Sequence, residues 1–388
     1  MKKDNDFGNN DEKVIKFPKA QKNKKSKKTG VYLVCLLVLI AVVFLVSKAG
    51  DSSNFNSTNA VNTEVISLSN ANNFDFAGYS DGYVLAKDGK ISCHNTNHAV
   101  QWEVTASKTA PKVVVNDDYV LTYYNDDKLA VITNGKKTIR IETPGNVQLG
   151  YVNTNGFCVL LLDEYGLKNK IVVYNKKGEM LYYRDNPDKF ISHVALSDDN
   201  KTLLTTELIT TESSISSELI ATNIKKNEST SLAAFDSVIP GGCILTGKKD
   251  VVIVFETKIQ CYSLSGRLKW ETDFGNKRIF KYSYADGIFA CVFNVDDSAN
   301  SGSEVVFYNK SGKRVGGFET EEKIQDIDLK SKTALLTMNR QLVLTNQKGK
   351  QISAADITYD MKKVIFMGTK KCALIISNSQ DARLLPLK

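Results

Sequence analysis

From about residue 61 onward, short apolar runs rich in β-branched and aromatic residues alternate with polar turns rich in Gly, Asn, Asp and Lys, and no long stretch carries apolar residues at helical spacing. That pattern predicts strands joined by tight turns. One unit recurs: an apolar run, a polar turn, a second apolar run, another turn and a third short run. Clear copies begin at Gly82, Asp118, Gly156, Asp250 and Gly287, with weaker ones near Lys201, Lys332 and Lys371, so that successive starts lie 36 to 49 residues apart. This period is that of four-stranded propeller blades.

A fourth strand for each unit stands just upstream, as in KVVVND before Asp118 and IFKYSYAD before Gly287, and supplies an inner strand to each blade. The last unit, KKCALIISNSQDARLLPLK, ends before an outer strand forms, while Thr63 to Ser69 (TEVISLS) have strand character without a partner. Placing this early segment as the outer strand of the last blade closes the ring and leaves no exposed edge. The expected fold is therefore all-β, a propeller of eight four-stranded blades. Seven is the alternative if the weak copy near Lys201 is an irregular insertion.

A different pattern precedes the repeats. Val31 to Val46 are sixteen residues without a charge or a Pro, and Thr29, Gly30 and Ser47 extend them to about the length of a hydrocarbon core. This predicts one transmembrane helix. Of the formal net charge of +8, six units fall in residues 1 to 30, where ten Lys oppose four acidic residues. By the positive-inside bias this flank is cytoplasmic and the rest of the chain extracytoplasmic. The expected organisation is a basic cytoplasmic tail over 1–29, the helix over 30–47, a flexible spacer over 48–60 and the propeller over 61–388. Ser47 and Ala49 before Gly50 also have the small-residue spacing of a signal-peptide cleavage site, so a cleaved leader is the competing outcome. The nearly neutral large domain lacks the basic face that nucleic acid demands.

Candidate chemistry is sparse. Seven Cys occur; Cys35 lies in the apolar run, and Cys93, Cys158, Cys243, Cys261, Cys291 and Cys372 lie mostly within apolar strands without a CxxC pair, where free buried thiols are expected. His94 and His98 are four apart, but on a strand and turn that spacing does not align two imidazoles for a metal. The acidic loop Asn294 to Glu304 has oxygen ligands but lacks the Gly of a calcium loop and reads as a solvated hairpin loop. With His193 as the third His, and with no nucleophile elbow or phosphate-binding loop, no catalytic, cofactor or metal residue is assigned. Tyr123, Tyr124, Tyr182, Tyr183, Tyr282 and Tyr284 offer a possible sugar or peptide platform, or else sit in strands with buried rings.

The repeat resembles those of pyrroloquinoline-quinone-type, WD40-like propellers, whose signature is a Gly before a strand leading to a Trp. Here SGRLKWE (Ser265 to Glu271) matches it and HAVQWEV (His98 to Val104) matches more loosely; other blades carry Tyr182 or Phe318 at the Trp position, or no aromatic. No residues that would bind the quinone are found, so the resemblance does not bring a cofactor with it. The order of Lys-rich tail, single helix and propeller is similar to an uncharacterised family of membrane-anchored propeller proteins of Gram-positive bacteria, a likeness that implies no activity.

The expected function is a non-catalytic binding or scaffolding module for an envelope protein or cell-wall polymer. The alternative is an extracytoplasmic enzyme, a dehydrogenase or glycan lyase, with its site in the propeller channel, for which a channel cluster of charged groups with shifted pKa values would speak.

Overall fold

The computed structural model describes residues 65–387 apart from 69–73, 108–109, 126, 248, 295–301, 368–371 and 378–380. The tail, helix and spacer expected over 1–60 lie outside the described residues, as does most of the acidic loop after Asn294.

The described residues form eight antiparallel four-stranded sheets and contain no helix. In chain order the blades span 74–105 (blade 1), 111–142, 146–186, 190–236, 242–273, 279–320, 326–356 and 361–386 (blade 8). First strands of successive blades pack against one another around the axis, which identifies them as the inner strands. Blade 8 is completed by Val65–Ser67, which pairs antiparallel with Asp381–Pro386 in the register Val65 to Arg383, Ile66 to Ala382 and Ser67 to Asp381. The closure expected from the unpartnered early strand is the one observed, and it leaves the outer edge of the final blade covered.

Eight blades replace the seven-blade alternative. The weak copy near Lys201 is a full blade with the longest strands of the ring, Thr202–Thr210, Ile215–Asn223 and Glu228–Asp236. It is hard to see in sequence because Thr, Ser and Glu interrupt its apolar runs. Thr205, Thr206 and Glu207 are nevertheless buried, with the Glu207 carboxylate held by the Arg184 guanidinium and, at 3.2 Å, by Lys189.

The middle strands are apolar on both faces because each blade is stacked between two others. Cys372–Ser377 and Cys158–Asp163 are buried almost throughout, whereas outer strands such as Val100–Thr105 alternate. The core is divided accordingly into eight apolar clusters, one at each blade interface. One joins blades 2 and 3 through Leu121, Ile132, Val147 and Leu160; another joins blades 8 and 1 through Phe76, Tyr83, Ile365 and Leu384, with Leu68 buried beside the closing strand.

A repeated turn sets the outer hairpins. Asn95, Asn175, Asn309 and Asn346 each use the side-chain Oδ1 to accept the backbone N–H groups two and four residues on, at 2.8 to 3.1 Å. In three of these turns the intervening residue with φ near +80° is Gly178, Gly312 or Gly349, where a side chain would be strained. Neighbouring blades lock at the outer-hairpin turns. Trp102 of blade 1 lies on Gly135 of blade 2, and Trp270 of blade 5 on Gly312 of blade 6, so close that an added Cβ would sit 2.5 and 2.6 Å from the indoles. The Trp of the sequence signature is thus a structural lock between blades. In blade 6 the equivalent position is Gly316, against which the backbone of Lys348 closes directly, and Phe318 instead packs in the blade 6–7 cluster.

Candidate functional site

A cleft lies at one mouth of the channel, where inner strands turn into second strands. Its volume is about 430 Å³, and blades 2 to 6 supply the lining. Asn116 ends the inner strand Pro111–Asn116; Tyr151 lies in Asn146–Val152 with Thr154 just beyond; Asp198 follows Phe190–Leu196; Cys243 and Tyr284 come from the next two inner strands.

Asn116, Thr154 and Asp198 stand where three successive inner strands end in polar turns. The turns stitch blades together. Asn116 Nδ2 donates to the Val152 carbonyl at 3.0 Å, linking blade 2 to blade 3. Buried Asn153 donates to the Ser197 carbonyl at 3.0 Å and to Asn200 Oδ1 at 2.6 Å, and Thr154 Oγ1 donates to Asp198 Oδ1 at 2.7 Å. Asn155 Nδ2 also donates to the Asp198 carbonyl. Blades 2, 3 and 4 therefore present one cross-linked polar lip with the Asp198 carboxylate on it.

Burial governs the ionisable groups behind the lip. It pushes the Cys243 thiol up to about 12 and the Tyr151 hydroxyl up to about 12, the latter with smaller pushes from Asp198 and Cys243. Both are neutral at physiological pH. Nearby His193 is shifted below its ordinary value by burial, opposed by its hydrogen bond to the Gly241 carbonyl, and its Nδ1 lies 3.0 Å from Ser192 Oγ. That Ser hydroxyl also reaches the Thr206 carbonyl at 3.4 Å, within its own sheet. Tyr282 donates to the same Gly241 carbonyl at 3.2 Å, an approach open because Gly242 has no Cβ.

Of the residues singled out in the sequence, Cys243 and Tyr284 line this cleft and His193 and Tyr282 meet at the Gly241 carbonyl, while the others fall elsewhere. His94 and His98 fill the outer turn of blade 1. His94 stacks on Tyr83 with ring centroids 4.9 Å apart and contacts Ser92 Oγ at 2.8 Å, while His98 Nδ1 contacts the Tyr83 hydroxyl at 2.9 Å. Among the described residues no three His, Cys, Asp or Glu side chains gather as a metal site. Glu304, at the end of the acidic loop, pairs with Lys277 and Arg314. Of the six tyrosines, Tyr123, Tyr124 and Tyr182 are buried, Tyr183 is exposed, and Tyr282 and Tyr284 are half-buried, with Tyr284 in the cleft lining. The six distal cysteines are free thiols, as expected from their apolar surroundings. The lip residues Asn116, Thr154 and Asp198 escaped sequence reasoning, although the signal was present as polar residues directly after three successive inner strands (VVVND, YVNTN, ALSDDN).

The fold is shared with solved propellers. Sqt1 of Saccharomyces cerevisiae superposes with a TM-score of 0.57 at 10% identity, covering 85% of this chain and 99% of that one. Sqt1 of Chaetomium thermophilum bound to the N-terminus of the ribosomal protein L10 gives 0.54 at 8%, covering 86% and 100%. BamB of Moraxella catarrhalis gives 0.50 at 10%, covering 84% and 99%. At such identities the likeness is one of fold. None of the curated proteins compared with the sequence matches it. At the level of sequence family the match is extensive, over residues 51–383, and the chain belongs to the family of unknown function DUF5711.

Proposed function

We propose that this protein is a non-catalytic binding or scaffolding module. In this reading its N-terminal helix holds it in the cell membrane, its basic tail is cytoplasmic, and its propeller stands outside, where it engages an envelope protein or cell-wall component. The observation that carries the binding reading is the channel-mouth cleft. Its polar groups are braced by bonds between blades, and burial holds Tyr151 and Cys243 neutral, so it is equipped to recognise a ligand through hydrogen bonds and shape. A propeller of similar fold, the Chaetomium Sqt1, is bound to the N-terminus of another protein. The membrane reading is supported by the uncharged run Val31 to Val46 behind its lysine-rich flank.

The test is affinity capture after cross-linking of intact cells, with the full-length chain and a version lacking residues 61–388. Capture of one defined component that depends on the propeller supports the reading. Turnover of a candidate substrate, abolished by changes at the channel mouth, would replace it with an enzyme.

A further inference from the structure

The lock between blades is filled unevenly. Trp102 of blade 1 and Trp270 of blade 5 stand at the next-to-last pair of their outer hairpins, opposite Cys93 and Cys261, and cover the glycine of the following blade. In blade 2 that position, opposite Ile132, is Ile139. Ile139 still points at the glycine of the next blade: a Cβ on Gly178 would lie 2.7 Å from its Cγ2. An isoleucine does not span the groove as an indole does, and a cavity of about 180 Å³ stands beside it.

The cavity has an apolar floor of Tyr119, Ile132 and Ile139 and a rim carrying Lys137, Lys176 and Lys177. Tyr119 is itself fixed beneath Gly156, where a Cβ would collide with its ring at 2.3 Å, so the floor is built rather than collapsible. All three lysines are exposed, and none has a carboxylate within ion-pair distance among the described residues. The nearest carboxylate in the same turn, Glu179, accepts from Asn175 Nδ2 at 2.6 Å. Asp117 and Asp118, both exposed, directly precede Tyr119, and the Asp118 carbonyl accepts from the Tyr79 hydroxyl of blade 1 at 3.0 Å.

We infer that this groove between blades 2 and 3 is a docking site for an acidic peptide segment of a partner protein, which inserts one aromatic side chain where other blades carry their own tryptophan. The occupant is drawn from the ring itself. The two filled grooves show that an indole fits over this turn, the unfilled one keeps the apolar walls and the glycine, and the three unpaired ammonium groups call for carboxylates on either side of the inserted ring. The inference rests on the reading of the propeller as a binding module and names a partner chemistry and a location for it.

The experiment is fluorescence anisotropy of the full-length protein with a labelled hexapeptide, Asp-Glu-Trp-Asp-Glu-Asp, and with two controls in which Ala replaces the Trp or Lys replaces each acid. Binding of the first peptide, weakened about tenfold by either control change and by a rise in salt through the Debye-screening range, is expected. Ile139→Trp fills the cavity and should abolish binding while the folded transition is kept. Lys176→Glu with Lys177→Glu, both on exposed positions, should weaken it about tenfold and keeps the test decisive if the tryptophan variant misfolds. Absence of binding, binding indifferent to the Trp of the probe, or binding unchanged in the lysine variant overturns the inference. A captured partner whose retention survives Ile139→Trp would leave the binding-module reading standing and remove this site alone.

Discussion

Trp270 in blade 5 donates its indole N–H to the carbonyl of Lys310 in blade 6 at 3.1 Å, across an interface that only a glycine at 312 allows. Thr272 adds a bond to the Gly312 carbonyl at 3.0 Å. The outer rim of this interface therefore depends on one side chain and one missing side chain acting together.

That dependence is measurable. Gly312→Ala puts a methyl 2.6 Å from the indole at a φ of 74°, and Trp270→Ala removes the ring; each should cost about 2 kcal/mol in chemical denaturation. Because both changes break the same contact, the double variant should cost clearly less than the sum of the two. Additive costs would show that the two residues act independently.

His193 gives the stability of the propeller a pH dependence with a defined sign. Burial lowers its folded-state pKa below the ordinary 6.5, so the unfolded chain takes up the proton first. Its contribution is complete above about pH 6.5 and is lost as pH falls from there toward the lower folded value. In denaturant titrations at a series of pH values, His193→Gln should flatten the decline below pH 6.5. An unchanged slope would assign the decline to other groups.

Asp328 has the opposite sign. Burial raises its carboxyl above the ordinary 3.8, while Lys330 and the bond from the Phe366 N–H at 3.0 Å oppose the shift. A raised pKa favours folding below the unfolded value and weakens it as pH climbs through the folded one. At pH 7, Asp328→Asn keeps an acceptor for Phe366 without a buried charge and should lie within about 1 kcal/mol of the parent. Asp328→Leu strands that N–H and should cost about 2 kcal/mol. Equal losses in the two variants would mean that the charge itself is what the ring requires.

Ring closure can be tested at Leu68, buried at the end of the short closing strand Val65–Ser67. Leu68→Ala should cost about 3 kcal/mol in chemical denaturation. Deletion of residues 65–68 should expose the edge of Asp381–Pro386 and produce concentration-dependent association in size-exclusion chromatography. A monomeric deletion variant would show that the closing strand is not what guards this edge.

The ring was legible in the sequence because its repeat is written in strand-length apolar runs and turn residues, and the closure followed from one strand too many at the start and one too few at the end. Blade 4 was nearly lost because buried polar residues such as Thr205 and Glu207 break its apolar pattern, and only their three-dimensional partners explain their placement. The Trp signature was visible, but its contact with a glycine about forty residues away was not, since it joins different blades. The channel mouth was the least legible part: Asn116, Thr154 and Asp198 are ordinary turn residues one blade apart, and only the rotation of the ring brings them to one lip.

The six free thiols of the propeller make a last test of how the fold treats its reactive groups. Burial raises Cys93, Cys261 and Cys372 to about 11, and Cys158, Cys243 and Cys291 to about 12. A thiol at 11 presents roughly one thiolate in a thousand at pH 8, and attack on a thiol reagent requires the thiolate. Five of the six lie in packed interiors, whereas Cys243 lines the channel mouth. Native protein treated with an aromatic disulfide reagent at pH 8 should therefore label slowly, with Cys243 first, and Cys243→Ser should remove that leading phase. After unfolding, all six should react together. Fast labelling of several thiols in the native state, or fewer than six from the propeller after unfolding without reductant, would overturn this account of a ring whose cysteines are structural apolar residues.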